Sequence, residues 1–89
     1  MQVEFDPAKD RANRAAHGES LALAEKLDWD AALVWVDHRF QYQELRMIAL
    51  APEDSTLYYV AFVERGDARR IISLRRATRR EVKHYVDNI

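Results

Sequence analysis

The stretch LYYVAFVERGDARRIISL, residues 57–74, decides the fold of this chain. Its first part, Leu57–Glu64, is the most apolar run in the sequence, which is typical of a central strand buried on both faces. Arg65–Asp67 predicts a tight connection, and Arg70–Leu74 predicts the next strand. Because the connection is short, we expect the two strands to be antiparallel neighbours.

Shorter strand patterns precede this hairpin. Gln2–Phe5 alternates polar and apolar residues, and Leu33–Val36 is rich in residues that favour strands. Tyr42–Leu50 shows a longer alternation between the two faces of a strand, and the turn-forming residues of Pro52–Ser55 follow it. The sequence therefore predicts a small antiparallel sheet.

Two helices are predicted near the N-terminus from their capping residues. Asp6 is a suitable N-cap, Pro7 suits the first helical position, and Gly18 is suited to a left-handed C-cap. Ser20 can cap a second helix that runs through Leu27.

The C-terminal segment carries the clearest helix start in the chain. Thr78 and Glu81 have the spacing of a capping box. Apolar residues then recur at helical spacing, at Val82, Tyr85, Val86 and Ile89. The predicted fold is α+β with the order β-α-α-β-β-β-β-α, two N-terminal helices and one C-terminal helix lying on one side of the sheet.

Length and composition exclude several classes of protein. With 89 residues, the chain has room for one domain, residues 1–89. It has no cysteine, its first residues are too polar for a signal peptide, and no apolar run is long enough to span a membrane. No nucleotide-binding glycine loop and no metal-binding motif is present. We therefore expect a cytoplasmic protein without membrane association, metal or cofactor.

The basic residues are concentrated near the C-terminus. Residues 64–89 hold eight of the fourteen Lys and Arg residues, although the whole chain has a net charge of −1. Six of the eight are arginines between Arg69 and Arg80. The guanidinium group presents a planar fork of donors that matches phosphate, so nucleic acid is the leading candidate ligand.

Four of these arginines surround the start of the last helix. Arg79 and Arg80 occupy its first two positions, where the helix dipole disfavours cations by about 0.3–1 kcal/mol each. Arg75 and Arg76 precede them, so the four side chains could form a cradle for an anion. The alternative is that they are solvated and pair with neighbouring carboxylates, namely Glu64, Asp67 or Glu81.

Two further groups of polar residues are candidates for a site. Lys9, Asn13 and His17 are spaced to line one face of the first helix, although His17 could equally bond the last carbonyls of that helix. Glu44 and Arg46 would share one face of a strand, either as a surface ion pair or as functional residues.

Three patches of the chain resemble the BrnT-type toxins of type II toxin–antitoxin systems, a family related in fold to the RelE-like ribonucleases. FDPAKDRANRAAHG, residues 5–18, resembles the family's opening D-P-x-K-x-x-x-N-x-x-x-H-G. Glu44-Leu45-Arg46 resembles its E-x-R strand. ERGDARRIISLRRATRREVKHY, residues 64–85, resembles its R-I-I-S-x-R-x-A…E…Y ending.

The resemblance implies a ribonuclease that inhibits translation and cleaves RNA without a metal, the 2′-hydroxyl attacking the adjacent phosphate. Arginines would stabilise the phosphate, while a base and an acid would move protons. His17 and Glu44 are the favoured acid–base pair, with Glu64 and Tyr85 as alternatives. The predicted catalytic residues are His17, Glu44, Arg46, Arg65 and Arg75. The predicted RNA-binding residues are Lys9, Arg70, Arg76, Arg79 and Arg80.

The resemblance also implies a partner. This would be a cognate antitoxin, similar to BrnA, that has a ribbon-helix-helix DNA-binding domain and covers the basic face of the toxin. DNA would be bound only through the antitoxin. The alternative to a ribonuclease is a module that uses the same basic face to bind RNA or an antitoxin without catalysis.

Overall fold

The structure, a computed structural model, describes residues 1–39, 41 and 43–89. The start at Tyr42 that the sequence predicts for a strand lies outside the described residues. Five strands form one sheet: β1 (Gln2–Glu4), β2 (Leu33–Val36), β3 (Arg46–Glu53), β4 (Thr56–Arg65) and β5 (Ala68–Arg76). The remaining described elements are two α-helices, α1 (Pro7–His17) and α2 (Arg79–Asn88), and two 3-10 helices, Leu21–Lys26 and Trp29–Ala31.

The prediction that β4 is the central strand is confirmed, since the sheet order is β1-β5-β4-β3-β2. Val60 and Phe62 face one side of the sheet, and Ala61 and Val63 face the other; all four are buried. Each large apolar side chain buried in this way contributes about 1.5–3 kcal/mol. The hairpin of β4 and β5 is therefore the scaffold on which the other elements pack.

The prediction of a purely antiparallel sheet is wrong at one edge. β2 to β5 pair antiparallel, but β1 pairs parallel with β5, with Gln2 opposite Ala68. The alternation of Gln2–Phe5 indicates a strand but carries no information on its direction. No short turn joins β1 to its neighbour in the sheet, so the turn rules that worked for the other strands do not apply to it.

The second predicted α-helix is a 3-10 helix, so the structure has one N-terminal α-helix instead of two. Ser20 caps it as expected, its Oγ accepting a hydrogen bond from the Ala22 N–H at 3.1 Å. Leu21, Ala24 and Leu27 all enter the core. Their spacing of three residues is the period of a 3-10 helix, and this explains the departure from α-helical geometry.

The prediction that all helices lie on one side of the sheet is also wrong. The 3-10 helix Leu21–Lys26 covers the face of β4 that carries Val60 and Phe62. α2 lies over the opposite face, where Glu81 contacts Arg75, the partner of Tyr59 in the sheet. Periodicity in the sequence predicts an apolar helix face but not the side of the sheet on which it packs.

The predicted helix caps are confirmed. The Asp6 carboxylate accepts a hydrogen bond from the Ala8 N–H at 2.8 Å, and Gly18 adopts a left-handed conformation with φ 73°. Thr78 and Glu81 form both hydrogen bonds of a capping box. Over the part of the chain that the structure describes, no helix is long and apolar enough to cross a membrane.

Candidate functional site

A cleft of about 300 Å³ opens at the edge of the sheet where β3 begins, β4 ends and β5 begins. Val63, Ile71 and Ile72 form its apolar lining. Its polar lining consists of Lys9, Gln43, Glu44, Arg46, Arg65 and Arg70. Five of these six residues are candidates from the sequence, so the structure brings together residues that are far apart along the chain.

The strand register explains why three of these side chains meet. Arg46 lies opposite Val63, and Val63 lies opposite Arg70, so the three residues form one row across β3, β4 and β5. Neighbouring strands are about 4.8 Å apart, which separates the Cα atoms of Arg46 and Arg70 by about 10 Å. The long side chains of the two arginines can therefore reach one anion held between them.

The ion pairs of the cleft are only partly buried. Arg65 Nη2 lies 2.6 Å from Glu44 Oε1, and the two side chains are 46% and 51% exposed. A pair this exposed contributes about 0–1 kcal/mol, so an anionic ligand can displace the carboxylate at little cost. Glu44 precedes β3 and contacts Arg65, which makes the predicted pairing of Glu44 with Arg46 along a strand wrong.

Lys9 reaches the cleft from α1, which Asn13 fastens to the free edge of β5. The Asn13 amide donates to the Leu74 carbonyl at 2.8 Å and accepts from the Leu74 N–H at 3.0 Å. It also donates to the Glu19 carbonyl at 2.8 Å. The only sequence signal for this role is that Asn, a poor helix former, interrupts an alanine-rich helix.

A shallower groove of about 230 Å³ continues from the cleft along α1. Lys9 and Ile72 line both cavities, and His17 lines only the groove. The prediction that Lys9, Asn13 and His17 share a helix face is confirmed, because all three line this groove. The structure thus places His17 beside the cleft and not in it.

Arg75 lies outside the cleft and joins β5 to α2. Its guanidinium donates to both carboxylate oxygens of Glu81, at 2.8 and 2.9 Å, and stacks over the Tyr59 ring at 4.0 Å. The hydrogen bonds from Arg75 lower the pKa of Glu81 and, in return, raise the pKa of Arg75. Burial raises the pKa of Tyr59.

The anion cradle predicted at the start of α2 does not form. Successive β5 residues face opposite sides of the sheet, so Arg76 points away from Arg75 and lies 3.7 Å from Glu19. Arg79 and Arg80 are exposed on the first turn of α2. The alternative of pairing with a neighbouring carboxylate is confirmed for Arg75, and an RNA-binding role for Arg76, Arg79 and Arg80 stays a prediction.

The two alternative acid–base candidates also lie away from the cleft. Glu64 pairs with Arg69 at 3.0 Å on the other face of the sheet. The Tyr85 hydroxyl donates to the Ala31 carbonyl at 2.7 Å. Glu44 is therefore the one carboxylate among the described residues that line the cleft. Those residues also contain no group of three His, Cys, Asp or Glu side chains that could hold a metal ion.

The comparison with protein families decides the assignment. The family described as "Ribonuclease toxin, BrnT, of type II toxin-antitoxin system" matches residues 5–81. This chain belongs to the BrnT family. The family resemblance of the three sequence patches is thereby confirmed, and the matched range contains every residue that lines the cleft.

A solved BrnT structure supports the assignment. The crystal structure of the Brucella abortus ribonuclease toxin BrnT is similar over 89% of this chain and 99% of its own, with a TM-score of 0.69 and 25% identity. A search of curated proteins found no match. Since the BrnT family belongs to type II toxin–antitoxin systems, a protein antitoxin is the implied partner.

Proposed function

We propose that this BrnT-family chain is a toxin that cleaves RNA in the cleft without a metal ion and so inhibits translation in the cytoplasm. The observation that supports this most is the composition of the cleft: four cations from four separate elements surround one partly exposed carboxylate. The family description, a ribonuclease toxin, supports the substrate.

The first step is binding of the scissile phosphate. Arg46 and Arg70, on either side of Val63, donate to its non-bridging oxygens and stabilise the charge that develops there. Arg65 turns from Glu44 to the phosphate because a phosphate oxygen is an equivalent acceptor. Binding of RNA thus frees the Glu44 carboxylate at the moment when a base is needed.

The second step is transesterification. Glu44 accepts the proton of the 2′-hydroxyl, the 2′-oxygen attacks phosphorus, and the bond from phosphorus to the 5′-oxygen breaks. Lys9 donates a proton to the leaving 5′-oxygen, a task for which arginine is unsuited because it stays protonated. The products are a 2′,3′-cyclic phosphate and a 5′-hydroxyl. Lys9 replaces His17, which lies outside the cleft, as the proposed acid.

The test is cleavage of RNA by the purified protein in the presence of EDTA. Glu44→Gln is expected to lower the rate about 100-fold or more, as for loss of a general base, and Arg70→Ala about 100-fold, as for loss of an oxyanion donor. Arg11→Ala, an exposed arginine of α1 outside the cleft, is the matched control and should cleave normally.

Two results would contradict the proposal. Activity that depends wholly on an added divalent metal would exclude the metal-free mechanism. Tight, salt-sensitive RNA binding that leaves the strand intact would favour the alternative, a binding module without catalysis.

We also propose that the antitoxin carries a ribbon-helix-helix domain and covers the basic cleft with an acidic segment. The positive charge of the cleft supports this surface, and the family supports the partner. Co-expression with the neighbouring gene product should suppress cleavage, and Arg46→Ala should weaken the complex. DNA should be bound by the complex and not by the toxin alone. The relation in fold to RelE-like ribonucleases stays a prediction.

A further inference from the structure

The groove along α1 has no part in the mechanism above, although Lys9 and Ile72 line both the groove and the cleft. We propose that it binds a flanking nucleotide of single-stranded RNA, one step beyond the two nucleotides joined by the cleaved phosphate, and that His17 is a binding residue of this subsite. This inference rests on the proposed function of the cleft.

A β-bulge connects the two cavities. Ser73 lies opposite Ala61 and Ile71 lies opposite Phe62, so that Ile72 has no partner in β4. A bulge redirects the side chain of the extra residue. Ile72 and Lys9 line both cavities, so a strand that leaves the cleft past Ile72 has the groove next to it.

The lining of the groove suits a nucleotide. Ala12, Ala16 and Ile72 supply an apolar surface, and His17 and Ser73 supply polar groups beside it. Bases of single-stranded RNA stack on apolar and aromatic surfaces, histidine included, and are hydrogen-bonded at their edges. The amide of Asn13 is occupied by the backbone of Leu74 and Glu19, so His17 and Ser73 are, apart from Lys9, the polar side chains of the groove that can contact RNA.

The length of the groove separates His17 from the reacting phosphate. Lys9 and His17 are two turns apart on α1, which is about 12 Å at 1.5 Å per residue. Lys9 lines the cleft and His17 does not. A single phosphate held in the cleft is therefore within reach of Lys9, while His17 meets the next part of the strand.

Filling the groove tests the proposal without touching the cleft. Ala16→Leu places a larger side chain in the groove and keeps a good helix former, while Ala15→Leu makes the same change on a part of α1 that lines neither cavity. The substrates are a dinucleoside monophosphate and an octanucleotide that contains one ribonucleotide among 2′-O-methyl residues.

For Ala16→Leu we expect the KM of the octanucleotide to rise about ten-fold, the order of one lost base stack, with cleavage of the dinucleoside unchanged. Ala15→Leu should match the wild type on both substrates. Equal kinetics of the two variants on the octanucleotide would overturn the proposal.

His17→Ala tests the role of the histidine. We expect an increased KM for the octanucleotide, an unchanged kcat and an unchanged pH profile, while His84→Ala, an exposed histidine of α2, should have no effect. A fall in kcat on both substrates would overturn the proposal and return His17 to the chemical step.

A binding measurement separates this inference from the proposed function. Fluorescence anisotropy with a fully 2′-O-methylated octanucleotide needs no cleavage. Ala16→Leu should bind it about ten-fold more weakly than Ala15→Leu, the order of one lost base stack. Equal affinities would overturn the subsite even if the wild type cleaves RNA. A difference in affinity would support the subsite even if the wild type does not cleave RNA.

Discussion

At the scale of single residues, Asn13 joins α1 to the edge of the sheet. The free edge of β5 presents the N–H and C=O of Leu74, and the Asn13 amide satisfies both as a neighbouring strand would. Asn13 is 5% exposed, so water cannot take over these bonds. One side chain thus satisfies β5 beyond the part that pairs with β1, and it fixes α1, which carries Lys9 to the cleft.

Asn13→Ala should therefore lower the free energy of unfolding by about 2–4 kcal/mol, because it leaves two backbone groups of Leu74 without partners. Urea denaturation measures the change. Asn88→Ala, an exposed asparagine on α2, is the control, and its effect should be small. A loss below about 0.5 kcal/mol for Asn13→Ala would show that the edge of β5 does not need this clamp.

Glu81 makes stability depend on pH. Hydrogen bonds from Arg75 and from the Thr78 N–H depress its pKa in the folded state below the usual glutamate value of 4.5. Its contribution is therefore complete above about pH 4.5 and is lost as the pH falls through the depressed value. Melting temperatures between pH 3 and 7 should fall less steeply on acidification for Glu81→Gln than for the wild type. Identical slopes would contradict this assignment.

At the scale of elements, β5 distributes the basic cluster over the molecule. Its alternation, shifted by the one extra residue of the bulge at Ile72, sends Arg70 and Arg75 to one face and Arg69 and Arg76 to the other. Each arginine has its own carboxylate partner: Glu64 for Arg69, Glu4 for Arg70, Glu81 for Arg75 and Glu19 for Arg76. Of these four arginines only Arg70 lines the cleft.

Polar contacts of Glu81 with Arg75 and of Tyr85 with Ala31 join α2 to the rest of the fold. Val82, Val86 and Ile89, which predict a packed helix face, are 40%, 60% and 76% exposed. Arg75→Ala should therefore speed hydrogen exchange of the amides of α2 and leave RNA cleavage within a few-fold of the wild type. Arg75→Lys should show an intermediate effect, because a lysine cannot form the bidentate pair. Loss of cleavage with unchanged exchange would restore the catalytic role predicted for Arg75.

At the scale of the whole molecule, a net charge of −1 conceals a separation of charge. Four cations line the cleft together with one carboxylate, and the other carboxylates of the chain lie elsewhere, several of them in ion pairs with basic residues outside the cleft. Such a local concentration of positive charge attracts a polyanion, although the net charge of the whole chain would not.

RNA binding should accordingly weaken as salt increases. The slope of log affinity against log salt is about −0.7 for each phosphate neutralised on a single strand, so Arg70→Ala should make it shallower by about 0.7. Titrations of a 2′-O-methyl oligonucleotide at several salt concentrations measure this slope. Arg11→Ala should leave it unchanged, and a slope that Arg70→Ala does not alter would place the phosphate outside the cleft.

Local sequence patterns were sufficient to predict much of the fold. The caps at Asp6, Gly18 and Thr78 and the central position of β4 follow from residues close together in the sequence, and the structure confirms them. The parallel pairing of β1 and the role of Asn13 depend on contacts with β5, more than 60 residues away. No local pattern contains that information.

The sequence by itself determined where the two α-helices begin and which segments become strands, and that arginine is concentrated near the C-terminus, because capping, alternation and charge are properties of neighbouring residues. Only the tertiary structure decided which arginines act together. Strand register places Arg46 and Arg70 in one row, and α1 adds Lys9. The direction of each side chain along β5 separates Arg75 and Arg76, which are adjacent in the chain. The residues of a site must lie close together in space, and the pairing of the strands sets the distances between them.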